Sequence, residues 1–215
     1  MLALFLLFLC LPLLVVSVLL IFVRDWEFPL HTGERLSKDG KPFFMVKLRT
    51  MSKAKEKDQL YTRDTDARIT PIGLWLRRLK VDELPQLWNV ALGHMNFFGP
   101  RPDVPQAFGA FTESDRKILS VLPGLLDLAS LVFAKEGKIL SHLGKNSHKT
   151  VFCFKRTLTC FYVDRSSAQM NFLLLLLLFV RFFSDRFFIS GLEKFLNFLS
   201  MPRNLREEAL FYARI

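Results

Sequence analysis

The sequence predicts an α+β fold, mostly helical: a proline-broken re-entrant membrane helix, then a small β-hairpin, with amphipathic interfacial helices around a compact core. Three observations carry this expectation. Residues Met1 to Val23 hold no charged side chain and place Pro12 near their middle. An Asp39-Gly40 pair divides two short β-prone runs. After Thr70-Pro71 the apolar residues recur at helical spacing. Three segments follow: 1–23 as the membrane helix, 24–165 as the core, and 166–215 as C-terminal interfacial helices and tail.

As a straight helix, residues 1–23 extend about 34 Å, enough to cross a bilayer. A cleaved signal peptide fits poorly, because no basic segment opens the run and no small-residue cleavage site closes it. Pro12 removes a backbone donor, which leaves two geometries, a bent span or a hairpin that enters and leaves one leaflet. Trp26 suits the water–lipid boundary, and the Lys- and Arg-rich remainder keeps to the cytoplasmic side by the positive-inside rule.

Phe43, Met45 and Leu48 lie in a β-prone segment that reads as part of a small hairpin. The charged stretch Ser52 to Arg68 reads as a solvated helix or loop. Thr70 and Pro71 supply an N-cap and a first helical residue, with Ile72, Trp75, Leu76 and Leu79 on one face. A second helix starts near Asp82 and carries Leu84, Leu87, Trp88 and Leu92. Pro100, Pro102 and Pro105 stiffen a loop, and a short capped helix ends at Pro123-Gly124. The nine apolar residues Phe172 to Val180 would reach only about 14 Å as a helix, too short to span. The region Asn171 to Phe198 therefore reads as one amphipathic helix at the membrane surface, followed by a polar tail.

The formal charge of +10 favours anionic partners: phospholipid headgroups, phosphorylated substrates or nucleic acid. Nucleic acid is disfavoured, since no aromatic platform or recognition helix is legible. Cys10, Cys153 and Cys160 match no zinc spacing and form no disulfide framework. Against this basic background the adjacent acids Asp82 and Glu83 stand out. Taken alone they are an N-cap and a first-turn acid.

Five blocks in order change that weighting: Lys41 to Met51, Ala67 to Arg78, Val81 to Val90, Asn96 to Pro102 and Asp115 to Gly124. Together they resemble the core of the bacterial monotopic phosphoglycosyl transferases, or initiating sugar transferases. The resemblance implies transfer of a phosphosugar from a nucleotide-sugar donor, commonly a UDP-sugar, to polyprenol phosphate, starting lipid-linked glycan or exopolysaccharide assembly. It implies that Asp82 is the nucleophile, forming a covalent phosphosugar intermediate, and that Glu83 assists by metal contact or proton handling. It implies Mg2+ held by Asp82 and Glu83, with the core on the cytoplasmic face of the bacterial inner membrane among its phospholipids. The residue types suit this chemistry, because a carboxylate attacks phosphorus once a cation has neutralised the diphosphate. Magnesium needs only one or two carboxylates besides substrate phosphates. Arg49, Arg77 and Arg101 are the expected phosphate contacts, the last held stiff between Pro100 and Pro102. Three departures from the family pattern motivate an alternative, an impaired enzyme acting as a membrane-anchored scaffold: His94 in place of an acid, Leu122 in place of Arg, and Ser37 in place of a turn glycine. The sequence leaves the oligomeric state open.

Overall fold

The computed structural model describes residues 1–52, 66–106, 112–113, 115–144 and 147–215. Most of the charged stretch Ser52 to Arg68 lies outside the described residues. Helix α1, Leu2–Asp25, runs through Pro12 rather than being divided there. A proline costs one intrahelical hydrogen bond, and the turns on either side keep theirs. The helix ends where Trp26 turns into the left-handed region at φ 50° and donates its N–H to the Phe22 carbonyl, 3.0 Å away. One stripe of α1, Leu7, Leu14, Val18 and Ile21, packs on Leu48, Leu76 and Val81. The rest is exposed, and only 11% of its most apolar window is buried, at a mean hydropathy of 3.2. A core helix of a water-soluble domain would bury that surface, so this exposed apolar helix suits association with a membrane.

Strands β1, Leu30–Leu36, and β2, Pro42–Leu48, form the expected antiparallel hairpin, with Leu30 opposite Leu48 and Leu36 opposite Pro42. Asp39 and Gly40 both take positive φ, 59° and 72°, in a 3-10 turn at Lys38–Gly40, which is why this pair serves here. Phe43 and Met45 point from one face of β2 into a cluster with Met95. Alternation places Lys47 next on that face, while Leu48 turns to the α1 side. Asn89 fixes β2 from outside the sheet: its Oδ1 accepts from Val46 N–H at 3.0 Å and its Nδ2 donates to the Phe44 carbonyl at 2.8 Å.

Helix α2, Pro71–Arg78, starts as expected, with Thr70 Oγ1 accepting from Gly73 N–H at 3.0 Å. Its apolar face divides: Ile72 and Leu76 pack against the core, while Trp75 and Leu79 remain 67% and 53% exposed. The next helix does not begin at Asp82. Val81–Glu83 form a 3-10 turn after Lys80 at φ 58°, and α3 covers only Gln86–Ala91. Asp82 is thus not an N-cap, nor does it open a helix long enough to offer a row of free N–H groups. Burial of Val81 beside α1 and capture of Glu83 by Arg101 draw the chain into this tighter turn.

Strands β3, Asn96–Phe98, and β4, Gly124–Leu126, pair in parallel and were not foreseen. They lie so close that a Cβ on Gly124 would fall 2.2 Å from Gly99 N. Between them Asp115–Ser120 forms a 3-10 helix rather than an α-helix. Six helices follow: α4 Leu128–Val132, α5 Glu136–Leu143, α6 His148–Arg165, α7 Ala168–Phe183, α8 Asp185–Phe198 and α9 Arg203–Arg214. Asn171 to Phe198 is therefore not one surface helix. Ser184 ends α7 and caps α8, so the chain turns back and buries Met170, Leu174 and Leu177 with Phe188, Leu192 and Leu196. The tail is not featureless either, because Ala209, Leu210, Tyr212 and Ala213 of α9 join the same cluster. That cluster also takes in Leu128, Val132, Phe154 and Leu158, so buried side chains from both sides of position 165 share one core. On its outer side α7 leaves Phe172, Phe179, Phe182 and Phe183 exposed.

Gly73 lets α2 dock on the strand end, since a Cβ there would lie 2.1 Å from the Thr50 carbonyl oxygen. Gly73→Ala should cost about 1–3 kcal/mol, as overpacking does. Chemical denaturation of the detergent-solubilised protein checks this, and an unchanged midpoint would contradict the close docking.

Candidate active site

A cleft of about 730 Å3 opens between the α2 to α3 region and helices α4 to α6. Four separate stretches reach it: Lys47 at the end of β2, Arg77 and Lys80 from α2 and its exit, Asp82 and Glu83 from the 3-10 turn, and Arg101 from the proline loop. Lys135, Lys138 and Lys155 close the far wall. Each part has a local cause. Thr50 Oγ1 accepts from Arg77 Nε at 2.8 Å, which fixes the guanidinium relative to the strand end. Arg101 grips Glu83 bidentately, with Nη1 on Oε2 at 3.0 Å and Nη2 on Oε1 at 2.8 Å. Lys80 Nζ adds a longer contact to Glu83 at 3.6 Å.

The two acids end up in opposite electrostatic states. Burial opposes ionisation of Glu83, but the Arg101 charge and then Lys80 outweigh it and hold its carboxyl at about 2. Asp82 is 7% exposed, and its Oδ1 is buried with no hydrogen-bond partner. Burial, then the neighbouring Glu83 charge, push its carboxyl above the ordinary carboxylate range. Lys47 is pressed down to about 8, first by burial and then by Arg77 and Arg101. The cleft therefore holds, in Asp82, a carboxylate whose Oδ1 has no hydrogen-bond partner, within electrostatic reach of Lys80, Lys47 and Arg77.

Of the residues expected from the sequence, Asp82, Glu83, Arg77 and Arg101 meet in this cleft. Arg49 does not. It lies in an adjoining cleft, held by Glu27 at 2.8 Å. Pro100 and Pro102 are buried beside Arg101 rather than lining the cleft, where they stiffen its loop, and the Pro100 carbonyl accepts from Gly124 N–H at 2.8 Å. Sequence reasoning missed Lys47, Lys80, Lys135 and Lys155. For Lys47 a signal existed, a cation placed in phase with the inward residues Phe43 and Met45. The lysines of α5 and α6 reach the cleft only because the chain folds back, which no local pattern encodes.

The donor set suits a hard divalent cation in one respect and resists it in another. Asp82 offers an orphaned carboxylate oxygen, and no group of three potential metal ligands exists among the described residues. Magnesium completes such a shell from substrate phosphates and water. Both Glu83 oxygens already accept from Arg101, so a shared cation must compete with that pair.

The family model for bacterial sugar transferases matches residues 1–185. This chain belongs to the bacterial sugar transferase family. Over 115 residues it is 41% identical to a Bacillus subtilis protein provisionally named undecaprenyl-phosphate N-acetylgalactosaminyl 1-phosphate transferase, covering 53% of this chain and 60% of that one. It is 33% identical over 136 residues to the UDP-galactose-lipid carrier transferase of Erwinia amylovora, 56% of this chain and 28% of the relative. It is 47% identical over 70 residues to the UDP-glucose:undecaprenyl-phosphate glucose-1-phosphate transferase of Escherichia coli, 32% of this chain and 15% of the relative. Ser37, His94 and Leu122, which depart from the sugar transferase pattern, line no part of the cleft that holds the acids.

Because the folded state raises Asp82 above its unfolded value of about 3.9, its ionisation opposes folding. The penalty is absent below about pH 4 and complete once pH has passed the folded value. Asp82→Asn should therefore melt higher than the wild type at pH 8 and equally at pH 4, read by thermal denaturation in detergent. Glu83→Gln should behave in the opposite sense, since the Glu83 contribution is present above its unfolded value of about 4.3 and fades as pH falls towards 2.

Proposed function

We propose that this protein transfers a phosphosugar from a nucleoside diphosphate sugar, in keeping with its relatives' names a UDP-sugar, to polyprenol phosphate. The observation that carries the reading is the buried, unpartnered Asp82 oxygen on the floor of a cleft ringed by Lys47, Arg77 and Arg101. Asp82 attacks the sugar-linked phosphorus, and the bond from that phosphorus to the nucleoside monophosphate breaks, the leaving group taking the electron pair. The acceptor phosphate then attacks the same phosphorus and displaces the Asp82 carboxylate, which leaves a polyprenol diphosphate sugar. Magnesium, when bound, neutralises the diphosphate and makes its phosphorus more electrophilic. Arg77 and Lys47 stand where charge develops on the phosphate oxygens. Glu83 keeps the Arg101 fork aimed into the cleft, as a bidentate pair fixes orientation. Lys80 faces the negative charge that Asp82 brings into the cleft.

On this reading the chemistry takes place at a bacterial inner membrane with the core on the cytoplasmic side, and the exposed apolar face of α1 supports the membrane part of it. The reading includes a re-entrant path for α1. Its support is the packing of Leu7, Leu14, Val18 and Ile21 along the core, which holds most of the helix beside the domain. Trp75, Leu79, Trp88 and Leu92, all about half exposed or more, then lie at the same boundary.

Asp82→Asn should abolish the covalent adduct and lower transfer by about a thousandfold or more, as loss of a nucleophile does, while membrane association persists. Intact-protein mass spectrometry after incubation with nucleotide sugars and Mg2+ reads the adduct; turnover equal to wild type in this variant would overturn the reading. For α1, Leu2→Cys and Trp26→Cys, in a background without native cysteines, should both label from the cytoplasmic side. Labelling from opposite sides would establish a span instead.

A further inference from the structure

Next to the active-site cleft lies a second one, of about 260 Å3, whose lining beyond Lys47 and Arg77 has no role in the reaction above. Its polar lining includes His31, Lys47, Arg49, Thr50, Arg68 and Arg77, and no carboxylate lines it among the described residues. Two of the guanidinium groups are braced by acids that stand outside the lining. Glu27 meets Arg49 Nη1 at 2.8 Å, and Asp66 meets Arg68 Nε at 2.9 Å and Nη2 at 2.6 Å. This bracing orders the cations without placing a negative charge in the cleft. Arg49 Nε remains a buried donor with no partner. Burial, then Lys47 and Arg49, lower the His31 imidazole below its ordinary value, so near neutral pH it offers a hydrogen bond rather than a charge.

The position of the cleft says where its ligand comes from. Arg49 N–H donates to the Pro29 carbonyl at 2.7 Å, and its partner Glu27 immediately follows Trp26, where α1 ends. Trp26 and Phe28 are 81% and 68% exposed there. Leu48 lines the cleft and also belongs to the apolar cluster that contains Ile21 and Leu14 of α1. Cations at the end of a lipid-facing helix, flanked by exposed aromatic rings, sit at headgroup level. Lys47 and Arg77 line both clefts and so connect this one to the acids.

We propose that this second cleft seats the phosphate monoester of the polyprenol acceptor, with the isoprenoid chain leaving towards the exposed Trp26 and Phe28 at the end of α1. The identity of the lipid rests on the sugar-transfer reading; the phosphate chemistry rests on the cleft. A monoester presents three oxygens and up to two charges, which suits several forked donors with no competing acid among the described lining residues. A phosphodiester headgroup presents fewer of both.

The test uses the full chain in detergent micelles and reads phenylglyoxal modification of each arginine by peptide mass spectrometry. Polyprenol phosphate should slow modification of Arg49 and Arg68 by about tenfold, whereas the unphosphorylated polyprenol should not protect them. Equal protection by inorganic phosphate overturns the lipid source, and equal protection by phosphatidylglycerol overturns the monoester preference. Absence of protection at both residues overturns the site. In a parallel binding assay without nucleotide sugar, Arg68→Glu should weaken polyprenol phosphate binding about tenfold, and the remote charge reversal Arg203→Glu should leave it unchanged. Equal affinity in the two variants counts against the site. Formation of the Asp82 adduct needs no lipid and is scored separately. Adduct without arginine protection defeats this inference alone, and protection without adduct defeats the sugar-transfer reading alone.

Discussion

The bidentate pair between Arg101 and Glu83 is the contact on which the cleft depends. It ties the proline loop to the 3-10 turn that carries both acids, across 18 residues of sequence. By taking both Glu83 oxygens it leaves Asp82 as the acid with an unpartnered oxygen, and burial, followed by the fixed charge on Glu83, makes Asp82 harder to ionise. Two adjacent carboxylates of nearly equal intrinsic acidity are thus driven apart by their surroundings, since Glu83 is held bidentately by Arg101 while Asp82 is buried with its Oδ1 unpartnered. Removing one partner of such a pair leaves an uncompensated charge in a partly buried site, which is why its loss is felt well beyond the contact itself.

Around this pair the fold joins two kinds of surface. The cluster at α1 faces lipid on one side and the hairpin and α2 on the other, so the membrane helix forms part of the wall behind the site. The second and larger cluster, from α4 to α9, supplies the lysines of the far wall. The positive charge of the chain is therefore concentrated in part in the cleft. There, burial penalises the charge on Lys47, which an incoming anion would offset. A strained or unsatisfied set of groups of this kind is what a binding site for phosphates requires before its ligand arrives.

The departures from the family pattern fall elsewhere. Ser37 donates its hydroxyl to the His94 carbonyl at 3.1 Å, and the His94 ring lies 5.9 Å from that of Phe43, so these two positions form a structural joint behind the hairpin. Leu122 precedes the Pro-Gly turn, where its carbonyl approaches Gly99 closely. An impaired scaffold would be better motivated by substitutions within the ring of cations, and Arg77, Lys47 and Arg101 are all in place.

Sequence alone determined the elements whose causes are local. The uncharged leader, the Asp39-Gly40 hairpin, and the Thr70-Pro71 start of α2 each follow from hydropathy, turn chemistry or capping within a few residues, and each is found. Ordered motif blocks also marked Asp82, Glu83, Arg77 and Arg101 as candidates before any contact was known. Tertiary structure decided what depends on distant partners. It set Asp82 in a 3-10 turn instead of a cap, moved Arg49 to a neighbouring cleft, and folded the apolar stretch after Asn171 into a buried helical hairpin. The physical reason is that capping and periodicity act over one or two turns of chain. Burial and charge compensation are settled by whichever surfaces meet, and here those come from residues up to about a hundred positions apart.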